Sequence, residues 1–332
     1  MIQPAPEKAV EAQAQGAKKG RELVVLQKLL PFLSLTVLFV ALAIASPHFL
    51  TSTNLSSVVR QTAVINIMAL GMTLIIIIGG IDLSVGAILA MGGVLGTMAM
   101  EKGLNIPAGV GVGILTGLLC GLVNGFLITR LSIAPFIVTL GTLGIFRGAT
   151  LIMTNGLPVH RIPQQFTFLG EGTMLGVPFV LWILVACALV THLILEHTRL
   201  GRYTFAIGSN YEAAVYAGVP VTFHTTAVYA IGGMLTGLAG MIEASRLMTG
   251  QPTSGEGYEL QAIAAVVIGG GSLRGGEGSV IGTLIGAFIM GLLSNGSDLL
   301  SISPYVQKTI IGAVIILAVA MDELRKRRST SA

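Results

Sequence analysis

The chain has 332 residues, of which 53% are hydrophobic and 10% charged, and its mean hydropathy is +0.85. A water-soluble domain carries roughly a quarter charged residues, so this sequence cannot cover its own surface and must be solvated largely by lipid. The net charge of +4 is no nucleic-acid signal, because the basic residues lie in tails and short loops, where they orient membrane segments.

Residues 1–28 are polar and alanine-rich and lack a cleavable signal; they are expected to form a disordered cytoplasmic tail. A helix needs about 20 apolar residues to cross the hydrocarbon. Ten such spans are expected, at about 29–46, 62–79, 83–100, 107–129, 134–153, 178–195, 223–247, 260–272, 280–293 and 305–321. The expected fold is therefore an all-α polytopic membrane protein of about ten transmembrane helices. Its transmembrane domain is expected over 29–322, with a basic cytoplasmic tail over 323–332. The eighth and ninth spans are short and glycine-rich, as broken or re-entrant segments are. With the N-terminus inside, 13 of the 19 basic residues fall in inner loops and tails, which places both termini in the cytoplasm.

In chain order, residues 54–60 are expected to form a separate interfacial helix capped by Asn54. Asp82, in Gly79-Gly80-Ile81-Asp82-Leu83-Ser84-Val85-Gly86, lies between two apolar runs. A carboxylate there needs a partner, water or a headgroup position. With Ser84 it either lines or gates a path at a helix break, or caps the third span. Cys120 and Cys187 fall in apolar runs and read as small buried hydrophobes. Arg147 lies inside the fifth span, where it pairs within the bundle or lines the path. The loop 154–177 is rich in Pro, Gly, Gln and Thr, and either meets a partner or is a solvated connection. The pattern Gly, any residue, acid, Leu occurs at Gly80–Leu83 and again at Gly257–Leu260, which includes Glu259. Each copy is followed by a glycine pair, Gly92-Gly93 and Gly269-Gly270. Two halves of opposite topology would be an inverted repeat, although glycine is common enough here for chance to give the same echo.

The run Val266–Gly278 lacks the Gly-Lys-Ser/Thr of a phosphate loop and reads as a tight turn. His48, His160, His192, His197 and His224 are scattered, without a metal-ligand spacing. No nucleophile or triad spacing occurs, so enzyme chemistry, a cofactor and a metal are not expected. Arg199 and Arg202 suit headgroups. After them, Asn210 is placed to cap a short helix in which Glu212 favours the first turn, and Gly218 with Pro220 ends it.

Glu212-Ala213-Ala214-Val215-Tyr216-Ala217-Gly218 resembles the coupling-helix motif of ABC importer permeases. Gly79–Gly86, Thr198–Asn210, Gln251–Leu273 and Gly282–Gly286 likewise resemble the ribose-type monosaccharide permeases of that class. The likeness runs from about Leu29 to the C-terminus. Glu277, and Ser297-Asp298 after Asn295, depart from the family's usual residues. The resemblance implies a bacterial inner-membrane permease with no catalysis of its own, working with cytoplasmic ATPase subunits and a periplasmic or lipid-anchored sugar-binding protein. It also implies a second permease copy, most simply a homodimer. Asn210, Glu212, Ala213, Ala214 and Gly218 would couple to the ATPase, and Asp82, Ser84, Arg147 and Glu259 would line or gate the path. The low aromatic content, 6% with one tryptophan, fits a path that leaves sugar recognition to the binding protein. A branched-chain amino acid or nucleoside permease and a proton- or sodium-coupled transporter are the rival readings.

Overall fold

The computed structural model describes residues 30–330, so the expected tail 1–28 lies outside the described residues. The long helices are α2 (Ser52–Ile77), α4 (Ile106–Arg130), α5 (Pro135–Thr154), α7 (Phe179–His197), α10 (Val221–Leu247) and α12 (Val280–Leu299). Among the described residues these six are long and apolar enough to cross a membrane. Shorter apolar helices are α1 (Leu30–Ala45), α3 (Val85–Glu101), α11 (Tyr258–Ile268) and the first part of α13 (Pro304–Thr330). Among the described residues the remaining helices are α6 (Thr167–Glu171), α8 (Arg199–Ser209), α9 (Tyr211–Tyr216) and a 3-10 turn at Gln164–Phe166. The only strands among the described residues are β1 (Thr173–Met174) and β2 (Val177–Pro178), paired as an antiparallel hairpin.

Helix ends follow local chemistry. Thr51, Asn105, Thr198, Asn210 and Ser279 each accept a backbone N–H of the first turn through a side-chain oxygen. Prolines occupy the first turns of α4 and α5, where no donor is lost. The start of α2 corrects one expectation. Residues 54–60 are its first turns and not a separate helix, because Thr51 caps it and Asn54 donates back to the Phe49 carbonyl. Asn54 also exchanges amide hydrogen bonds with Asn295, at 3.2 and 2.9 Å. The ninth span is longer than expected, because α12 continues through buried Ser294, Asn295, Gly296 and Ser297 to Leu299.

Helix α2 sits at the centre, with its residues from Thr62 to Ile77 buried. It packs antiparallel on α10, with Gly71 against Gly232 and with Arg60 near the start of α2 and Arg246 near the end of α10 both reaching Glu171. The pairings then recur in two sets. Helix α4 packs on α10 as α12 packs on α2, and α3 on α10 as α11 on α2. Helices α3, α4 and α5 form one group, and α11, α12 and α13 the other. In the α4–α10 crossing, a Cβ on Gly117 would meet the Gly233 carbonyl oxygen and lie 2.8 Å from Gly237 Cα. Only glycine lets the backbones approach so closely, and lipid supplies no competing hydrophobic drive.

Each set contains a non-helical break before its short helix, 78–84 before α3 and 248–257 before α11. They enter from opposite ends. The first leaves the end of α2 where α8 and the 269–279 turn pack, with Gly276 donating to the Ile77 carbonyl at 2.8 Å. The second leaves the end of α10 that carries α6, where Gly250 pairs with Val159.

Candidate functional site

The 78–84 break brings Asp82 into the bundle, fully enclosed. Asp82 Oδ1 accepts from the Ser84 backbone N–H at 2.8 Å and the Ser84 hydroxyl at 2.6 Å. Asn124 on α4 donates to Ser84 Oγ at 2.8 Å and to Asp82 Oδ2 at 3.3 Å. Thr142 on α5 donates to Asn124 Oδ1 at 2.7 Å, completing a chain of four side chains. Thr139 and Tyr229 both donate to the Ile81 carbonyl, at 3.2 and 3.4 Å. These bonds, made among buried groups, fix the break. The Asp82 carboxylate thus takes up a backbone N–H at the entry to α3, while the side chain of Ser84 caps none. Ser84 is the N-cap residue of α3, and Asp82 closes a local turn two residues ahead of it.

Arg147 braces the second break. Its Nη1 donates to the carbonyls of Pro252 at 2.6 Å and Ser254 at 2.9 Å, so its bonds run to backbone carbonyls rather than to an acid. Helix α5 therefore holds both breaks, the first directly through Thr139 and by way of Asn124 through Thr142, and the second through Arg147. The start of α3 also touches the second break. A Cβ on Gly86 would run into the Gly255 carbonyl oxygen and lie 2.6 Å from Glu259 Oε2. Glu259 therefore lies against the first turn of α3, two residues past Ser84, while Arg147 holds the second break from α5.

The Asn210–Gly218 segment forms a second cluster at the α8 end. Asn210 Oδ1 accepts from Ala213 N–H at 2.9 Å, and Glu212 lies in the first turn. Gly218 ends the helix with φ +77, a left-handed backbone that other residues adopt at a cost. Ala214 is buried against the bundle, whereas Tyr211, Val215 and Tyr216 are 61%, 46% and 88% exposed. The segment is linked inward by a glycine junction. A Cβ on Gly208, in the last turn of α8, would strike the Ile77 carbonyl oxygen and lie 2.7 Å from Gly276 N.

Several residues at these sites carried no sequence signal that was read. Asn124, Thr139, Thr142 and Tyr229 are absent from the expected set; an Asn inside an apolar glycine-rich span was the available signal, since it needs a partner. A charged cluster at the opposite end was also missed. Arg60 and Arg246 both approach Glu171, at 3.3 and 3.7 Å, Arg246 pairs with buried Glu243 at 3.0 Å, and Tyr258 donates to Glu243 at 3.2 Å. This cluster ties α6 to α2, α10 and α11. Among the described residues no group of three or more His, Cys, Asp or Glu side chains is placed to hold a metal ion.

Residues 54–319 match the family model described as branched-chain amino acid transport system / permease component. Among curated proteins, the ribose import permease protein RbsC of Bacillus subtilis (strain 168) is 44% identical over 300 residues, covering 90% of this chain and 93% of the relative. The L-arabinose transport system permease protein AraH of Escherichia coli (strain K12) is 38% identical over 291 residues, 88% of this chain and 89% of its own length. The D-allose transport system permease protein AlsC of the same organism is 36% identical over 296 residues, 88% and 90% of the two chains. No solved structure matches.

Proposed function

The chain belongs to the branched-chain amino acid transport system / permease component family, and from that premise we propose that it is the membrane-spanning subunit of an ATP-driven importer for a monosaccharide, a ribose-like pentose or a hexose. The observation that carries the reading is the likeness to the ribose import permease, 44% identical over nine-tenths of the chain. The exposed, capped helix α9 supports the way such a subunit would be driven. Its outward Tyr211, Val215 and Tyr216 have the aromatic and apolar character of a docking knob, here for a cytoplasmic ATPase.

In this reading both termini are cytoplasmic, about ten spans cross the bacterial inner membrane, and the two sets of pairings form an inverted repeat. A second copy of the chain completes the permease, and a periplasmic or lipid-anchored binding protein delivers the sugar. Nucleotide binding shifts α9, α8 moves with it, and the Gly208–Ile77–Gly276 junction carries the displacement into the 78–84 break. The breaks act as paired gates whose alternative settings are the two states of alternating access. Asp82 and Ser84 belong to the gate near the α8 end, and Arg147 and Glu259 to the other. The polypeptide supplies no hydrolysis; the partner ATPase does.

The test is ATP-dependent uptake of labelled ribose in proteoliposomes containing the chain, its genomic-neighbour ATPase and the secreted binding protein. Uptake competed by unlabelled ribose, and not by leucine or a nucleoside, is the expected result. Uptake that follows a proton or sodium gradient without the ATPase would overturn it.

A further inference from the structure

The hairpin preceding α7 combines features that the transport reading leaves unused. Along α7 the buried residues Val180, Leu184, Thr191 and Leu195 recur at spacings of four and seven, one stripe on a helix that packs on α2. Trp182, Val185, Leu189 and Leu193 form the opposite stripe and are 41%, 54%, 56% and 44% exposed. In a chain of this composition that stripe faces lipid. No Asp, Glu, Lys or Arg occurs from Gly172 to Leu195. Helix α7 has 19 residues, about 28 Å of rise and so about the thickness of the hydrocarbon layer. Trp182, the single tryptophan of the chain, stands one turn from its start, where a membrane helix meets the headgroups.

The hairpin is attached to this side of the helix. The Trp182 indole N–H donates to the Met174 carbonyl at 3.3 Å. Between the strands the turn is Leu175-Gly176, with φ +56 and +80. Two-residue turns of this kind are ordinarily Asn-Gly or Asp-Gly, since a side chain beyond a short polar one is disfavoured at positive φ. Here the position holds leucine, 84% exposed, beside Met174 at 38%. Phe168, 50% exposed, packs on Phe179 at the base with ring centroids 4.8 Å apart. A leucine held in an unfavourable turn conformation and left uncovered by protein is explained if lipid covers it. We propose that the 173–178 hairpin is a lipid anchor, with Met174 and Leu175 inserted into the interfacial layer continuous with the Trp182 stripe. The occupant is the apolar upper acyl region of the bilayer, so binding needs no anionic headgroup. The anchor fixes the start of α7, and with it the loop carrying α6, at the membrane surface. It holds for any solute the bundle carries.

The chain's one tryptophan permits a direct test in nanodiscs of zwitterionic lipid. Emission of Trp182 is measured against a lipid with a nitroxide near the headgroup, a lipid with a nitroxide deep in the chain, and aqueous iodide. The same measurement is made on Leu175→Trp and Met174→Trp, each in a Trp182→Phe background, so that the tip is the only emitter and one variant suffices if the other does not fold. Expected at both the tip and Trp182 is loss of most emission to the shallow nitroxide, less to the deep one and little to iodide. Iodide quenching of the tip without lipid quenching overturns the anchor, even if Trp182 itself is quenched by lipid. Protection of the tip from iodide only after a soluble partner is added also overturns it, and would make the hairpin a protein-docking surface.

Discussion

Asp82 shows how a carboxylate is tolerated inside this bundle: both oxygens accept hydrogen bonds, and the donors are themselves held by Thr142 and the α3 start. Asn124 is the hub. Asn124→Ala removes the donor to Asp82 Oδ2 and Ser84 Oγ and leaves the Thr142 hydroxyl only its long bond to the Thr139 carbonyl, at about 1–3 kcal/mol for a buried group left unpaired. Thermal unfolding of the purified chain in detergent should register a clearly lower midpoint. Asp82→Asn keeps the acceptor that closes the Ser84 turn, so the fold should persist while sugar uptake drops; wild-type uptake would reduce the carboxylate to a turn-closing group. Arg147→Met removes the nitrogen that donates to both Pro252 and Ser254. It should impair uptake with little loss of expression, whereas unchanged uptake would free Arg147 of any gating part.

Among the elements, α9 and α8 form the most testable unit. Loss of the Asn210 cap costs about 1 kcal/mol of helix stability, and a side chain at Gly218 must adopt the left-handed conformation at roughly 1–2 kcal/mol. Neither position lies in the bundle core. Glu212→Ala, Asn210→Ala and Gly218→Ala should therefore insert normally yet transport less sugar per ATP hydrolysed, read by parallel uptake and phosphate-release assays. Unaltered coupling ratios in all three would remove α9 from the drive. Gly208→Val belongs to the same chain of contacts. Its side chain would collide with the Ile77 carbonyl region, and the expected outcome is ATPase activity that no longer responds to the sugar-loaded binding protein.

For the whole molecule, the expectation is that the polypeptide reconstituted alone leaves solute at equilibrium across the vesicle, and accumulates it only with ATPase and ATP. Much of the architecture was legible in residue order. Long apolar runs marked the helices because lipid leaves the backbone no other hydrogen-bonding solution, and Asn210, Glu212 and Gly218 marked α9 because capping is local. The boundary at Asn54 was misread because Thr51, three residues earlier, offers the competing cap. The partners of Asp82 were not legible at all: Asn124 lies 42 residues away, and Thr142 a further 18. Sequence alone determined that this chain is a helical membrane protein with a capped helix outside its spans, since composition, periodicity and capping act over a few neighbouring residues. Tertiary structure alone decided that two helix breaks enter from opposite ends, that the second packs on Gly86 just past the first, and that both share α5 as their brace, since contacts inside a membrane are chosen by glycine-to-glycine approach and by polar groups finding one another across distant turns of the chain.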